Sequence, residues 1–163
     1  MTSLVTLSAE CGAAHALATM RKLGPTLARA LRRGVPFMSR RGTEVTPLEP
    51  KVGRDELVAE LRGPVFTARL SACPGGGRAL LALDATAIAY ILEGSLGGDG
   101  SDLPTLPDKG LTAAQHAFVD GVVDALLGPL SSALSRDLGL SLERMRGADD
   151  EASAGPLIGV TFD

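Results

Sequence analysis

The sequence predicts an α/β domain, a mostly antiparallel sheet flanked by long helices. Three observations carry this. Val65–Ala72 alternates in character, Pro74-Gly75-Gly76-Gly77 supplies turn residues, and Ala79-Leu80-Leu81-Ala82-Leu83 is a short apolar run; together they read as a hairpin whose return strand is central. Leu17, Met20, Leu27 and Leu31 fall at heptad-like steps within residues 8–34, the signature of a helix with one apolar stripe. Beyond Leu111-Thr112 a second helix carries Val119, Val122, Val123, Leu126, Leu127, Leu130 and Leu134, enough large apolar residues to make it a core element.

A chain of 163 residues suits one domain with a real core. Aromatic residues are 3% of it and Trp is absent, so Leu, Val, Ile and Ala must fill that core. The net charge of −3 argues against a general nucleic-acid binder. The charge is uneven: residues 1–53 hold eight Lys/Arg against three Glu, and residues 54–163 hold eight against sixteen Asp/Glu. Such a dipole suits lateral packing in an assembly, and equally a solvated basic helix face. Cys11 and Cys73 stand alone without a CxxC pattern or a nearby His, so no metal and no cofactor is expected and reduced thiols are the default. The N-terminus lacks the basic start and apolar stretch of a signal peptide. No uninterrupted apolar run approaches the ~18 residues that span a bilayer. These features predict a cytoplasmic chain.

Taken in order, Ser8 can cap the first helix by accepting from a free N–H of its first turn. Arg21, Lys22, Arg29, Arg32 and Arg33 lie off the apolar stripe and cluster toward the C-terminal end, where they complement the helix dipole. Gly24-Pro25 is expected to break or kink this helix, because Pro25 has no N–H to donate, and Gly34 to end it. Gly42–Leu48 reads as an edge strand, since Pro47 cannot join a ladder. Arg54–Leu61 reads as a brief helix ended by Gly63-Pro64. In the strand Val65–Ala72 either Val65 or Phe66 begins the buried face. Asp84 stands at an N-cap position before a helix over Ala85–Ser95, whose apolar face is expected to carry Ile88, Ile91 and Leu92 and to extend to Leu96. Gly97-Gly98 stops that helix, and Ser101–Gly110 is a polar loop. Thr112-Ala113-Ala114-Gln115 is a capping box, and Gly128-Pro129 is expected to bend the helix behind it. Leu138–Met145 is a candidate strand, Arg146–Gly155 a loop, and Leu157–Phe162 a last strand. A strand so close to the final residue suggests a domain shortened in its second half.

No catalytic motif stands out. Gly97-Gly98-Asp99-Gly100 lacks the spacing of a phosphate cradle and follows a helix instead of preceding one; by composition it is a helix stop with a linker. His15 and His116 sit on helices without ligands at metal spacing, and His116 is four residues from Asp120. Asp120 and Asp124 share a helix face and repel weakly. No G-x-S-x-G is present, so nucleophilic hydrolysis has no support.

The order of these elements resembles a known family. An apolar strand ending in Leu83-Asp84, a helix, Gly97, Gly98 and Gly100 in a Gly-Gly-x-Gly loop, a spacer, and Leu111-Thr112 opening a long helix resemble the middle domain of the flagellar motor switch protein FliM. They are similar also to type III secretion cytoplasmic-ring proteins and to the CheC/CheX chemotaxis phosphatases. The resemblance covers roughly residues 10–160 and rests mainly on 79–127. It implies a three-layer α/β/α fold of pseudo-symmetric halves, and one FliM-like middle domain over residues 1–163. It implies a non-catalytic structural and switching component of a flagellar rotor C-ring or secretion ring, in the cytoplasm and at the inner face of the membrane only through the assembly. Gly97, Gly98, Asp99 and Gly100 would contact a FliG-like rotor protein, and copies of the chain would pack side by side. A FliN-like protein or a response regulator are further candidate partners. The phosphatases use a Glu and, three residues later, an Asn on the long helix. Gly121 and Asp124 stand there in this chain, which has no Asn, and an anionic Asp would repel a phosphate. The alternative is therefore a response-regulator-binding relative of CheC/CheX without catalysis. The N-terminal CheY-capturing segment of FliM is not recognisable in Met1–Glu10.

Overall fold

The computed structural model describes residues 4–35, 38, 42–53, 57, 61, 63, 65–107, 110–145, 158–160 and 162, with side chains from residue 12 onward. Its centre is the hairpin of β2 (Phe66–Cys73) and β3 (Gly77–Leu83), which pair from Phe66↔Leu83 to Ala72↔Gly77. Strict alternation settles which face is buried: Phe66, Ala68 and Leu70 point inward, while Thr67 and Arg69 are exposed. Val65, 39% exposed, lies outside the strand. On the other side of β2 runs β4 (Ser141–Arg144), also antiparallel, giving the order β3-β2-β4. The Met145 N–H donates to the Arg69 carbonyl, so the Leu142 N–H and C=O face away from β2. The Ser131 hydroxyl accepts from that N–H at 2.9 Å and donates to that carbonyl at 3.1 Å. One side chain thus satisfies backbone groups that an edge strand leaves open.

Two helices fill the inner face. α2 (Ala85–Ser95) follows β3 directly, and α3 (Ala113–Leu138) follows the loop. The capping box is formed: Gln115 N–H donates to Thr112 Oγ1 at 3.3 Å, and Thr112 N–H donates to Gln115 Oε1 at 2.9 Å. Val119, Val123, Leu126, Leu130 and Ala133 are its buried residues, a stripe of alternating four- and three-residue steps. Val119 and Val123 pack with Phe66, Ala68, Leu70, Ile88 and Ala89 in one core. Leu126, Leu130 and Ala133 pack with Leu23, Leu27 and Ala30 of α1 (Leu4–Gly34) in a second. A buried Leu or Val contributes about 1.5–3 kcal/mol, so α3 ties both cores together. By length and hydropathy α3 also passes for a membrane-crossing helix, but this stripe is committed to the two cores. The small sheet of β1 (Lys51–Val52) and β5 (Ile158–Gly159) lies near α1.

The described residues form a mixed α/β fold of antiparallel sheets and long helices, as the sequence predicts, with several differences. Gly24-Pro25 does not break α1, where burial of Leu23 and Leu27 holds the helix on both sides of the proline; α3 likewise runs on through Pro129. α1 begins at Leu4, leaving Ser8 inside the helix instead of capping it. Gly42–Leu48 is not a strand: Pro47 makes a single antiparallel bridge with Phe162, and pairing resumes at Lys51. The strand expected over Leu138–Met145 is shorter because α3 runs to Leu138 and Gly139 caps it in the left-handed conformation, φ +68. Most of the helix expected at Arg54–Leu61, and the loop expected at Arg146–Gly155, lie outside the described residues. Leu106, in the loop read as polar, is buried in the first core.

Candidate functional site

The glycine loop starts from α2. Asp84, in extended conformation, accepts the Ala87 N–H at 2.9 Å and caps the helix. Ile88, Ala89 and Ile91 bury one face. At the far end Gly97 N–H donates to the Gly94 carbonyl (3.3 Å) and Gly98 N–H to the Glu93 carbonyl (3.0 Å). This is the Schellman pattern, with Leu96 as C-cap and Gly97 beyond it at φ +89. A Cβ on Gly97 would meet open space, so its requirement is conformational. At Gly98 a Cβ would occupy the place of the Glu93 carboxylate, so that flexible side chain would have to swing aside.

That carboxylate continues the lock. Glu93 Oε1 accepts the Gly100 N–H at 2.7 Å, and Asp99 Oδ1 accepts the Ser101 N–H at 2.9 Å and its hydroxyl. The N–H groups of Gly97, Gly98, Gly100 and Ser101 are all committed internally, and two carboxylates hold the turn. With those N–H groups committed and two carboxylates beside them, the field here is unfavourable to an anion. The loop is an ordered turn, in contrast to the linker its composition suggests. It projects one large apolar side chain: Leu96 is 87% exposed.

The other sequence candidates come apart. Arg144, reaching from β4, donates to Asp124 Oδ1 at 2.7 Å, to the Asp120 carboxylate, and to the Asp120 backbone carbonyl at 3.3 Å. Its side chain is 16% exposed, and its pKa is raised by the hydrogen bond to Asp124 and then that to Asp120, against the opposing effect of burial. The two carboxylates are thus bridged by a shared cation. Asp124 is an ion-pair anchor for Arg144. Asp120 pairs with Arg144, while the His116 ring rests against Phe66 with centroids 4.9 Å apart at 58°. His15 is exposed on α1, and Cys73 is a half-buried free thiol. Among the described residues no three His, Cys, Asp or Glu side chains gather as a metal site.

Sequence reasoning missed Glu93 and Arg144, and it extended the apolar face of α2 to Leu96, which the structure instead leaves in solvent because the chain turns away at Gly97. For Leu96 a signal existed: a large apolar residue between a helix end and two glycines has no core to enter. For Arg144, strand alternation puts it on the face of Leu142, but only the register shows which carboxylates it meets.

No protein-family model matches the sequence, and no curated protein is similar to it. Solved structures do match. A chain of the FliG-FliM complex from H. pylori is similar over 99% of this chain and 86% of that one, with TM-score 0.59 and 15% identity. The FliM middle domain from V. alginolyticus aligns over 76% of this chain and 68% of its own, with TM-score 0.55 and 14% identity. Thermotoga maritima FliY aligns over 87% and 68%, with TM-score 0.56 and 15% identity. The chain has the fold of a FliM middle domain.

Proposed function

We propose that the chain is a non-catalytic structural and switching component of a flagellar rotor ring or a related type III secretion ring, working by protein–protein contact. The observation that carries this is the likeness of nearly the whole chain to a structure from a FliG-FliM complex. The docking site is the loop Gly97, Gly98, Asp99 and Gly100, with Leu96 as its apolar anchor and a FliG-like rotor protein as the partner. Exposure of Leu96 supports it, since a large apolar side chain held at the tip of a rigid turn costs little entropy to bury in a partner's pocket. The glycines let a partner backbone approach, and Asp99 and Glu93 keep the turn in shape. In the assembly the chain lies on the cytoplasmic side of the membrane, with copies of itself as neighbours. The pairing of Asp124 with Arg144 supports a role without phosphatase chemistry.

The test is quantitative binding to the FliG-like protein of the same genome. Wild type is compared with Gly97→Glu/Gly98→Glu and with Leu96→Ser, each checked for fold by circular dichroism. Loss of binding in folded variants is the expected result. Unchanged binding removes the loop from the interface. Binding by neither wild type nor variant removes the FliG-like partner, leaving response regulators as the next class to try.

A further inference from the structure

Between α1 and α3 lies a groove of about 460 Å³, within the range of ligand sites. Three guanidiniums, Arg29, Arg33 and Arg136, and two hydroxyls, Thr26 and Ser132, line it. Arg29 donates to Thr26 Oγ1 at 3.3 Å; among the described residues none of the three arginines makes an ion pair. Among the described residues no carboxylate lines the groove, although the chain holds 19 acidic residues against 16 basic ones. Like charge gathered in this way focuses a positive potential in the cleft. Arg33 and Arg136 stand in the last turns of their helices, where the helix dipole welcomes a cation. That explains neither Arg29, a turn earlier, nor the two hydroxyls.

We propose that this groove binds an acidic segment of a partner protein, seating two carboxylates about one helical turn apart among Arg29, Arg33 and Arg136. Guanidinium forks match carboxylates bidentately, and the Thr26 and Ser132 hydroxyls can donate to remaining lone pairs. From Thr26 to Arg33 the groove runs about 10 Å along α1, long enough for two such side chains at i and i+4. Among the described residues no aromatic side chain lines it to stack on a nucleobase. The groove shares no residue with the glycine loop, and its occupant is independent of the partner proposed there.

Fluorescence anisotropy with the full chain tests this. The probe is a labelled helical peptide with Glu pairs at i,i+4 spacing, and the control carries Gln at the same positions. Arg33→Gln/Arg136→Gln, Arg29→Gln and Arg29→Lys are compared with wild type. Saturable, salt-sensitive binding is expected, weaker by about tenfold or more for the Gln peptide and for each Gln variant, with Arg29→Lys intermediate. If the double variant fails to fold, Arg29→Gln carries the comparison. Equal binding of the two peptides, or folded Gln variants that bind like wild type, would overturn the proposal. Displacement of the peptide by pyrophosphate at concentrations well below the peptide's own Kd would overturn it too, marking a site for small phosphates.

Discussion

α3 and the glycine loop are held in place by different forces. α3 is fixed by burial: Val119 and Val123 are fully buried and Leu126 is 1% exposed. The loop buries almost nothing. It is fixed by hydrogen bonds from its own N–H groups to Glu93 and Asp99, leaving Leu96 in solvent. A scaffold stabilised by apolar contact tolerates no foreign surface, whereas a turn that satisfies itself can present a surface and keep its shape. Substitutions in the buried stripe of α3 should therefore change stability, and substitutions at the loop should change binding of the loop's partner.

The largest stability effect is expected at Leu126, which meets α1 where a Cβ on Gly34 would lie 2.5 Å from Leu126 Cδ2. Leu126→Ala should lower unfolding free energy by about 2–5 kcal/mol, read from urea denaturation, while the folded fraction keeps its partner affinity. Next is Arg144→Met, which leaves two carboxylates on one helix face without their cation. A loss of about 1–2 kcal/mol is expected, because both carboxylates are some 40% exposed and partly screened. Thr112→Ala removes the capping box at the start of α3 and should cost about 1 kcal/mol, seen as a lower midpoint in the same denaturation. Smallest is Leu96→Ser, expected within about 0.5 kcal/mol of wild type. Its effect should appear only in partner binding. A large stability loss at Leu96, or none at Leu126, would break the comparison.

What could be read from the sequence follows the range of the interactions. The hairpin was legible because strand, turn and strand adjoin within Val65–Leu83. The capping box was legible because Thr112 and Gln115 are three residues apart. The stripe of α3 was legible because burial repeats with the helix turn. Gly42–Leu48 misled because loose alternation around Pro47 resembles a strand, while the actual partner, Phe162, is set by the far end of the chain. The Arg144 clamp spans 20 and 24 residues and depends on register, which sequence alone does not fix. At the candidate site the helix stop at Gly97 was local and visible. The bond from Glu93 to Gly100 crosses seven residues and turns an apparent linker into a fixed turn. The docking role proposed for the loop comes from resemblance, since composition alone pointed to a helix stop.

The most direct test of the central claim is hydrogen–deuterium exchange of the full chain with and without its FliG-like partner. The account predicts added protection of the amides around Gly94–Ser101, with the interior of α3 unchanged. Unchanged exchange in that loop, with protection appearing elsewhere on the saturated chain, would contradict it.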